Sequence, residues 1–320
     1  MKNQMIHTTL AAFLAGASFL PVTLPNLAAA AESPFAVRMN TMEIDGLTIA
    51  YREAGDPSNP TVLLLHGFPT SSHMFRELIP ELAGKYHVIA PDYPGFGASE
   101  MPDAKDYDYS FANAADVVTK LIDARGVTDY AVYLMDYGAP VGYRMLAADP
   151  ARVTGFIIQN GNAYEEGLRE FWDPIKTYWA EPSAENGDAL RAFLTLDATI
   201  WQFTHGVGDV SKVNPDNYWH VQYLLDRPGN QEVQLEMFLD YGTNVSEYPK
   251  WQALFREHQP PALIVWGQND HIFPAQGAHP YKQDLTDVEF HLLDTGHFAL
   301  EEYGEVIADE MTDFLDRIHD

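Results

Sequence analysis

The strongest constraint on the fold is a series of short, mainly apolar runs separated by helical patterns. Runs that largely lack alternation are typical of strands covered on both faces, and strands that alternate with helices predict a mostly parallel, doubly wound sheet. Two further short strands precede the series and flank the turn Asp45-Gly46. The eight predicted strands are 41–44, 48–53, 61–65, 88–90, 131–135, 153–158, 262–266 and 288–293, and the predicted helices are 111–125, 138–148 and 303–318.

One long segment, 162–259, interrupts this alternation. It is rich in Trp, Tyr and Phe at helical spacing, and it is broken at Pro182, Pro215 and Pro228-Gly229. We interpret it as a helical cap inserted after the sixth strand, which leaves residues 32–161 and 260–320 as the core. Aromatic residues at this spacing pack in a core more often than they face a ligand.

The first residues have the pattern of a secretory signal peptide, Met1–Ala31. Lys2 supplies the positive charge, the segment 9–20 is apolar but too short to span a bilayer, and Ala29-Ala30-Ala31 offers a cleavage site. The alternative is an uncleaved amphipathic anchor. We expect a secreted or periplasmic protein that makes no membrane contact once the signal is removed.

Composition excludes several classes of function. The formal charge is −27, and nucleic acids and anionic lipids require a basic surface, so we expect neither as a partner. There is no cysteine, which excludes disulfides, thiolate metal sites and cysteine nucleophiles. No HExxH motif is present and the histidines are scattered, so we predict no metal site and no cofactor.

The segment Val132–Gly142 has the layout of a nucleophile elbow, in which a strand runs into a sharp turn and then a helix. Such a turn lifts one side chain above the sheet, and here that side chain is Asp136. The alternative is an aspartate that caps the helix N-terminus. Leu134 is bulkier than the glycine common at its position in such elbows.

A second turn follows the third strand, at His66-Gly67-Phe68-Pro69. Turns of this kind direct backbone N–H groups at a developing oxyanion, and the N–H groups of Phe68 and Tyr137 are the candidates. The alternative is a plain turn in which His66 bonds to the backbone.

Two more polar groups follow later strands, Asp270 after the seventh and His297 after the eighth. Functional sites gather at the carboxyl ends of strands in open α/β sheets, and the chain order nucleophile, acid, histidine is that of the α/β-hydrolase triad. The sequence therefore predicts a triad of Asp136, His297 and Asp270. The competing acid position, after the sixth strand, reads Gln-Asn-Gly-Asn over 159–162 and holds no acid.

From about residue 41 to 318 the chain resembles the α/β-hydrolase fold, in the branch with an aspartate nucleophile that includes epoxide hydrolases and haloalkane dehalogenases. The turn 66–69 matches the HGxP motif of epoxide hydrolases, and 95–99 matches their G-x-small-x-[ST] turn. The segments 70–72 and 136–140 look closer to the dehalogenases. The resemblance implies an eight-stranded, mostly parallel sheet flanked by helices and a small apolar organic substrate.

The chain departs from both groups of relatives. Related dehalogenases usually hold the halide with a Trp after the nucleophile and an Asn or Trp partner, whereas Tyr137 and Phe68 occupy these positions here. Related epoxide hydrolases protonate the epoxide oxygen with cap tyrosines, or with one His and one Tyr. The candidates in this cap are Tyr178, Tyr218, Tyr223 and Tyr241, and Tyr241 lies where the second tyrosine is often found.

The nucleophile type indicates the chemistry. A carboxylate suits displacement at saturated carbon, which gives an alkyl-enzyme ester that a histidine-activated water then hydrolyses. We therefore expect an epoxide hydrolase first and a haloalkane dehalogenase second. A non-catalytic relative that binds a small apolar ligand is a third alternative, which an intact triad disfavours.

Overall fold

The computed structural model describes residues 36–319. The predicted signal peptide, Met1–Ala31, lies outside these residues. Among the helices described, none has both the length and the apolar composition needed to cross a bilayer.

Eight strands form a single sheet in the order β1-β2-β4-β3-β5-β6-β7-β8, which confirms the predicted α/β-hydrolase architecture. The pairs β1–β2 and β2–β4 are antiparallel and the remaining pairs are parallel. The strands are β1 (Arg38–Ile44), β2 (Leu47–Ala54), β3 (Thr61–Leu65), β4 (His87–Pro91), β5 (Tyr130–Met135), β6 (Val153–Gln159), β7 (Ala262–Gly267) and β8 (Val288–Leu293).

The strands at the centre of the sheet form the core. Every residue of β3, β4, β5 and β7 is buried. The expectation that the runs are covered on both faces is wrong for β8, which is half-buried along its whole length. Because β8 is one of the two edge strands of the sheet, its side chains Glu289 and His291 can stay partly in solvent.

Five helices belong to the core. Helix α3 packs on β3 and β5, and α10 packs on β6 and β7. Helix α10 begins four residues before the predicted start. Its backbone is non-helical at Tyr303 (φ −118°), so the residues before Tyr303 do not continue the helical spacing on which the prediction was based. The core helices are α1 (Leu78–Leu82), α2 (Phe111–Ala124), α3 (Gly138–Ala148), α9 (Tyr281–Asp284) and α10 (Ala299–His319).

Between β6 and β7 the chain forms helices, in the segment 162–259 that we call the cap. The predicted breaks coincide with helix boundaries, since Pro182 separates α4 from α5, Pro215 begins α7, and Gly229 (φ 87°) precedes α8. The cap helices are α4 (Asp173–Ala180), α5 (Ala184–Leu190), α6 (Leu196–Thr204), α7 (Pro215–Leu225) and α8 (Asn230–His258).

The sheet topology determines where a site can form. Within the sheet, β4 lies beside β3 on one side and β5 lies beside β3 on the other. The direction in which strands are added to the sheet therefore reverses at β3. In open α/β sheets, ligands bind beyond the carboxyl ends of the strands at such a reversal. The turn 66–69 follows β3 and Asp136 follows β5, which places both at this point.

The crossing of β3 and α3 depends on the absence of a side chain at Gly138. A Cβ atom there would lie 2.2 Å from the Leu65 carbonyl oxygen. We predict that Gly138→Ala lowers the free energy of unfolding by about 1–3 kcal/mol, since strand and helix must move apart. Urea unfolding followed by circular dichroism measures this change.

The matched control is Gly304→Ala in α10, where a Cβ atom would meet nothing within 4 Å. That variant should gain about 0.5–1 kcal/mol, because alanine loses less entropy than glycine in a helix. Equal stability of Gly138→Ala and the wild type would contradict the close approach of β3 and α3.

Candidate active site

Asp136 occupies the turn between β5 and α3 in a strained conformation. Its φ is 50°, in the left-handed region that non-glycine residues rarely adopt. The carboxylate is buried at the carboxyl ends of the strands. Strain of this kind persists only where the surrounding structure imposes it, and it marks functional sites.

Two backbone N–H groups hold one oxygen of the Asp136 carboxylate. The N–H of Phe68 donates to Oδ1 at 2.8 Å, and the N–H of Tyr137 donates to the same oxygen. Gly67 permits this approach, because a Cβ atom there would lie 2.3 Å from the Asp136 Cβ. The turn 66–69 and the elbow thus meet, with both N–H groups directed at one carboxylate oxygen.

The other carboxylate oxygen faces His297. The imidazole Nε2 lies 3.8 Å from Asp136 Oδ2 and makes no hydrogen bond to a described residue. The Nδ1 atom of the same ring is 2.8 Å from Asp270 Oδ2. The three side chains of the predicted triad are therefore brought together in the order carboxylate, imidazole, carboxylate, and each is buried.

Asn160 fixes the orientation of Asp270 and was not recognised from the sequence. Its Nδ2 donates to Asp270 Oδ2 at 2.8 Å, and its Oδ1 accepts from the N–H of Gly267 at 2.9 Å. The N–H of Ile272 donates to Asp270 Oδ1 at 2.7 Å. Asn160 follows β6, at the competing acid position. Only acidic residues were considered at that position, so the amide was not identified as part of the site.

Burial and mutual charge set the protonation of the site. Burial raises the pKa of Asp136 to about 6, although the His297 charge and the two N–H groups act in the opposite direction. Burial lowers the pKa of His297, but the charges of Asp270 and Asp136 outweigh it, and the net pKa is raised. Loss of the Asp136 charge would therefore lower the pKa of His297 and favour the neutral imidazole, the form that can accept a proton.

His66 has a structural place behind the turn. Its ring stacks on Tyr93 at 4.1 Å, Nδ1 lies 3.1 Å from the Gly67 carbonyl oxygen, and Nε2 accepts from the N–H of Tyr93 at 3.4 Å. Burial lowers the pKa of His66 to about 4, so the ring is neutral at pH 7. This arrangement matches the alternative in which His66 bonds to the backbone.

The buried carboxylate of Asp92, which the sequence did not single out, ties the turn at 95–99 to the loop after Pro69. Its Oδ1 accepts from the N–H of Ser72 at 2.7 Å and its Oδ2 from the N–H of Ala98 at 2.9 Å. Gly97 is required there, since a Cβ atom would lie 2.1 Å from Asp92 Oδ2.

A narrow cavity lies over the carboxylate, between core and cap. Three of its lining residues are polar: Asp136, Tyr137 and Gln202. The others are apolar and come mostly from the cap: Phe68, Phe171, Trp172, Ile175, Phe193, Phe238 and Ile272. Cavities of this composition suit small, largely apolar ligands.

Of the four candidate tyrosines of the cap, one lies close to this cavity. Tyr241 is buried, and its ring centroid lies 6.0 Å from that of Tyr137 and 4.5 Å from that of Trp172, two residues of the cavity wall. Its hydroxyl is buried and interacts with the side chain of Tyr248, and burial raises its pKa well above the usual range.

The structure does not bring the other three tyrosines to the triad. Tyr223 is 74% exposed on α7, Tyr178 packs beside Gly187 of α5, and Tyr218 packs against Phe203. The periodicity of an aromatic segment does not specify which helix face meets the core, which explains these three positions.

One group of described residues outside the triad could hold a metal ion, namely Glu289, His291 and Glu310, whose ligand atoms lie within 4.8 Å of one another. Arg317 already pairs with Glu289 at 2.8 Å, so an added cation would compete with it. The group lies on β8 and α10, and none of its members lines the cavity.

Comparison with known proteins shows the fold family. Residues 60–303 match the family model of the alpha/beta hydrolase fold. The chain belongs to the α/β-hydrolase fold family. It is 44% identical over 271 residues to an uncharacterized hydrolase of Saccharomyces cerevisiae, a match that covers 83% of this chain and 93% of the relative.

Two further similarities extend over most of the chain. A haloalkane dehalogenase of Mesorhizobium japonicum is 39% identical over 286 residues, which cover 85% of this chain and 89% of the relative. The crystal structure of Cfl2 from Burkholderia cenocepacia superposes with a TM-score of 0.73 at 22% identity, covering 87% of this chain and 95% of that chain. At this identity the structural likeness supports the fold alone.

The raised pKa of His297 can be measured directly. We predict that the imidazole titrates above its ordinary value of about 6.5, and that Asp270→Asn lowers its pKa because the strongest stabilising charge is removed. Two-dimensional NMR of the imidazole nitrogens follows the titration. Asp294→Asn, which removes an exposed carboxylate from the same loop, should leave the His297 pKa nearly unchanged. A His297 pKa that does not respond to Asp270→Asn would contradict the pairing.

Proposed function

We propose that this protein is a hydrolase that opens epoxides of small organic substrates through nucleophilic attack by Asp136. One observation carries the proposal: Oδ1 of the carboxylate is held by two N–H groups, while Oδ2 faces His297 and the cavity remains apolar. A carboxylate that attacks an ester would form an anhydride and gain little. Attack at saturated carbon forms a stable ester, which suits this nucleophile.

In the first step Asp136 Oδ2 forms a bond to a ring carbon, and the carbon–oxygen bond of the epoxide breaks. The electron pair moves to the epoxide oxygen, which takes a proton, so the product is a neutral hydroxyalkyl ester. The negative charge of Asp136 disappears in this step. Because that charge contributes to the raised pKa of His297, its loss lowers the pKa of the imidazole, and more of the ring is then in the neutral form that can take a proton in the second step.

In the second step His297 takes a proton from water, which attacks the ester carbonyl carbon of Asp136. The resulting oxyanion develops on Oδ1, the oxygen that already accepts hydrogen bonds from Phe68 and Tyr137. The hydroxyalkyl group leaves as a diol with the proton held by His297, and the newly formed Asp136 carboxylic acid returns its proton to the donor of the first step, which restores both the carboxylate and the donor. Asp270 holds the imidazole throughout. General-base assistance of this kind contributes roughly 10²–10⁴-fold.

The donors near the cavity favour an epoxide over a halide. The indole N–H groups of Trp172 and Trp179 both donate to backbone carbonyls at 2.7 Å, so neither is available to hold a halide. Phe68 has no side-chain donor. The hydroxyl of Tyr137 is buried without a partner among the described residues, and that of Tyr241 is buried beside Tyr248. A phenol can supply the proton that an opening epoxide needs.

Haloalkane dehalogenation is the second candidate, and the relative from Mesorhizobium japonicum that bears this name favours it. The same nucleophile and base would serve, with halide leaving in place of the epoxide oxygen. The assembled triad and its oxyanion donors argue against the non-catalytic alternative. That the protein is exported is a separate proposal, which rests on the sequence of residues 1–31 alone.

The ester can be trapped. We predict that His297→Gln forms the alkyl-enzyme but hydrolyses it slowly, so that incubation with 1,2-epoxyhexane adds the whole mass of the epoxide to the peptide containing Asp136. Nothing leaves in ring opening, whereas 1-bromobutane would add only a butyl group. Mass spectrometry of the digested protein measures both.

The double variant Asp136→Asn, His297→Gln should gain no mass, because an amide is a far weaker nucleophile. In the wild type, a single turnover in heavy-oxygen water should label Asp136. Label that reached only the diol would indicate direct attack by water and remove Asp136 from its role. Near-wild-type turnover by His297→Gln would do the same for His297.

The proton source distinguishes the two candidate substrates. We predict that Tyr241→Phe lowers epoxide turnover at least tenfold, about 1.4 kcal/mol in the barrier. The free energy of unfolding should change by no more than about 1.5 kcal/mol, since the variant keeps the buried ring and removes one hydroxyl, which interacts with Tyr248. Diol formation and urea unfolding measure the two effects, and Tyr223→Phe, at an exposed position, is the control. Unchanged turnover by Tyr241→Phe, together with halide release from bromoalkanes, would put the dehalogenase first.

A further inference from the structure

Gln202 is a buried polar residue in the largely apolar wall of the cavity. It lies in cap helix α6, is 4% exposed, and lines the same cavity as Asp136. Its carboxamide oxygen has no hydrogen-bond partner among the described residues. A buried, unpartnered carboxamide destabilises a fold, and an apolar residue of similar size would pack there without this cost. The stability of the cap therefore does not explain why a polar residue occupies this position.

The neighbouring polar groups of the cap do not supply that explanation. Thr199, one turn earlier in α6, donates to the side chain of Gln222 at 2.8 Å, and Gln222 donates to the Leu194 carbonyl oxygen at 3.1 Å. This network is complete without Gln202.

In apolar ligand cavities, a few polar side chains fix the orientation of the ligand and provide specificity. Rotation of the carboxamide by half a turn exchanges its oxygen and its NH₂ group, so Gln202 can accept or donate a hydrogen bond. Asp136 belongs to the core and Gln202 to the cap, so a substrate in the cavity meets the nucleophile from one side and the carboxamide from the other.

We propose that Gln202 is a specificity-determining residue, which binds an oxygen-bearing substituent of the substrate while Asp136 attacks the epoxide carbon. The preferred substrates are then epoxides whose chain carries one hydroxyl or ether oxygen, and not plain hydrocarbon epoxides. This inference rests on the proposed function and adds a substrate class to it. A site built to bond a polar group discriminates against an analogue that lacks the group, because its own polar atoms are then left unpaired.

Three epoxides of equal chain length test the proposal. These are 1,2-epoxyhexane, ethyl glycidyl ether with an oxygen in place of one CH₂, and 4,5-epoxypentan-1-ol with a hydroxyl in place of the terminal methyl. We expect the wild type to prefer at least one oxygenated substrate over the hydrocarbon by about tenfold in kcat/KM. In Gln202→Met, which keeps length and volume, the ratio should fall to about one.

The ratio of kcat/KM values between substrates is insensitive to partial unfolding, because both values fall together. Gln234→Met is the matched control, since Gln234 is also buried in the cap with an unpartnered carboxamide oxygen but does not line the cavity. This control should keep the wild-type ratio.

Absence of a preference in the wild type, or a preference that survives in Gln202→Met, would overturn the inference while leaving epoxide hydrolysis intact. Loss of the ratio in Gln234→Met as well would also overturn it, since the effect would not belong to the cavity. If the wild type hydrolyses none of the three epoxides and His297→Gln traps no adduct on Asp136, the proposed function itself fails.

Discussion

The convergence of two backbone N–H groups on one oxygen of Asp136 is the interaction on which the rest of the site depends. It requires β3 and β5 to be neighbours, because Phe68 follows one strand and Asp136 the other. It also requires the positive φ of Asp136 and the missing side chain of Gly67. Sheet topology, the strained backbone of Asp136 and the glycine therefore act together to fix Oδ1 of Asp136, and Oδ2 is left facing His297.

The electrostatics of the triad follow from burying two carboxylates around one imidazole. Burial alone favours the neutral forms of Asp136 and His297. The imidazole between Asp136 and Asp270 offsets much of that tendency, because a single positive charge serves two neighbours. Any reaction that converts Asp136 into a neutral ester changes this balance in the direction that the second step needs.

The sequence predicted the core of the site because its residues lie at strand ends. The carboxyl ends of parallel strands share one edge of the sheet, so Phe68, Asp136, Asp270 and His297 converge once the strands are recognised. Asn160 escaped notice because an amide at an acid position carries no signal until its partner Asp270 is seen. The short helices α1 and α9 span too few turns to show a period.

The cap was predicted as a helical segment but not in its detailed packing, and the reason is physical. A helix rich in aromatics can present several faces to the core, so the sequence could not separate the exposed Tyr223 from the buried Tyr241. Gln202 gave no sequence signal either, since one glutamine in a helix is ordinarily a solvent-facing residue. Its meaning depends on the apolar neighbours that packing supplies. In the proposed reaction the core supplies the nucleophile and the two oxyanion donors, whereas the cap supplies most of the cavity wall that would hold the substrate.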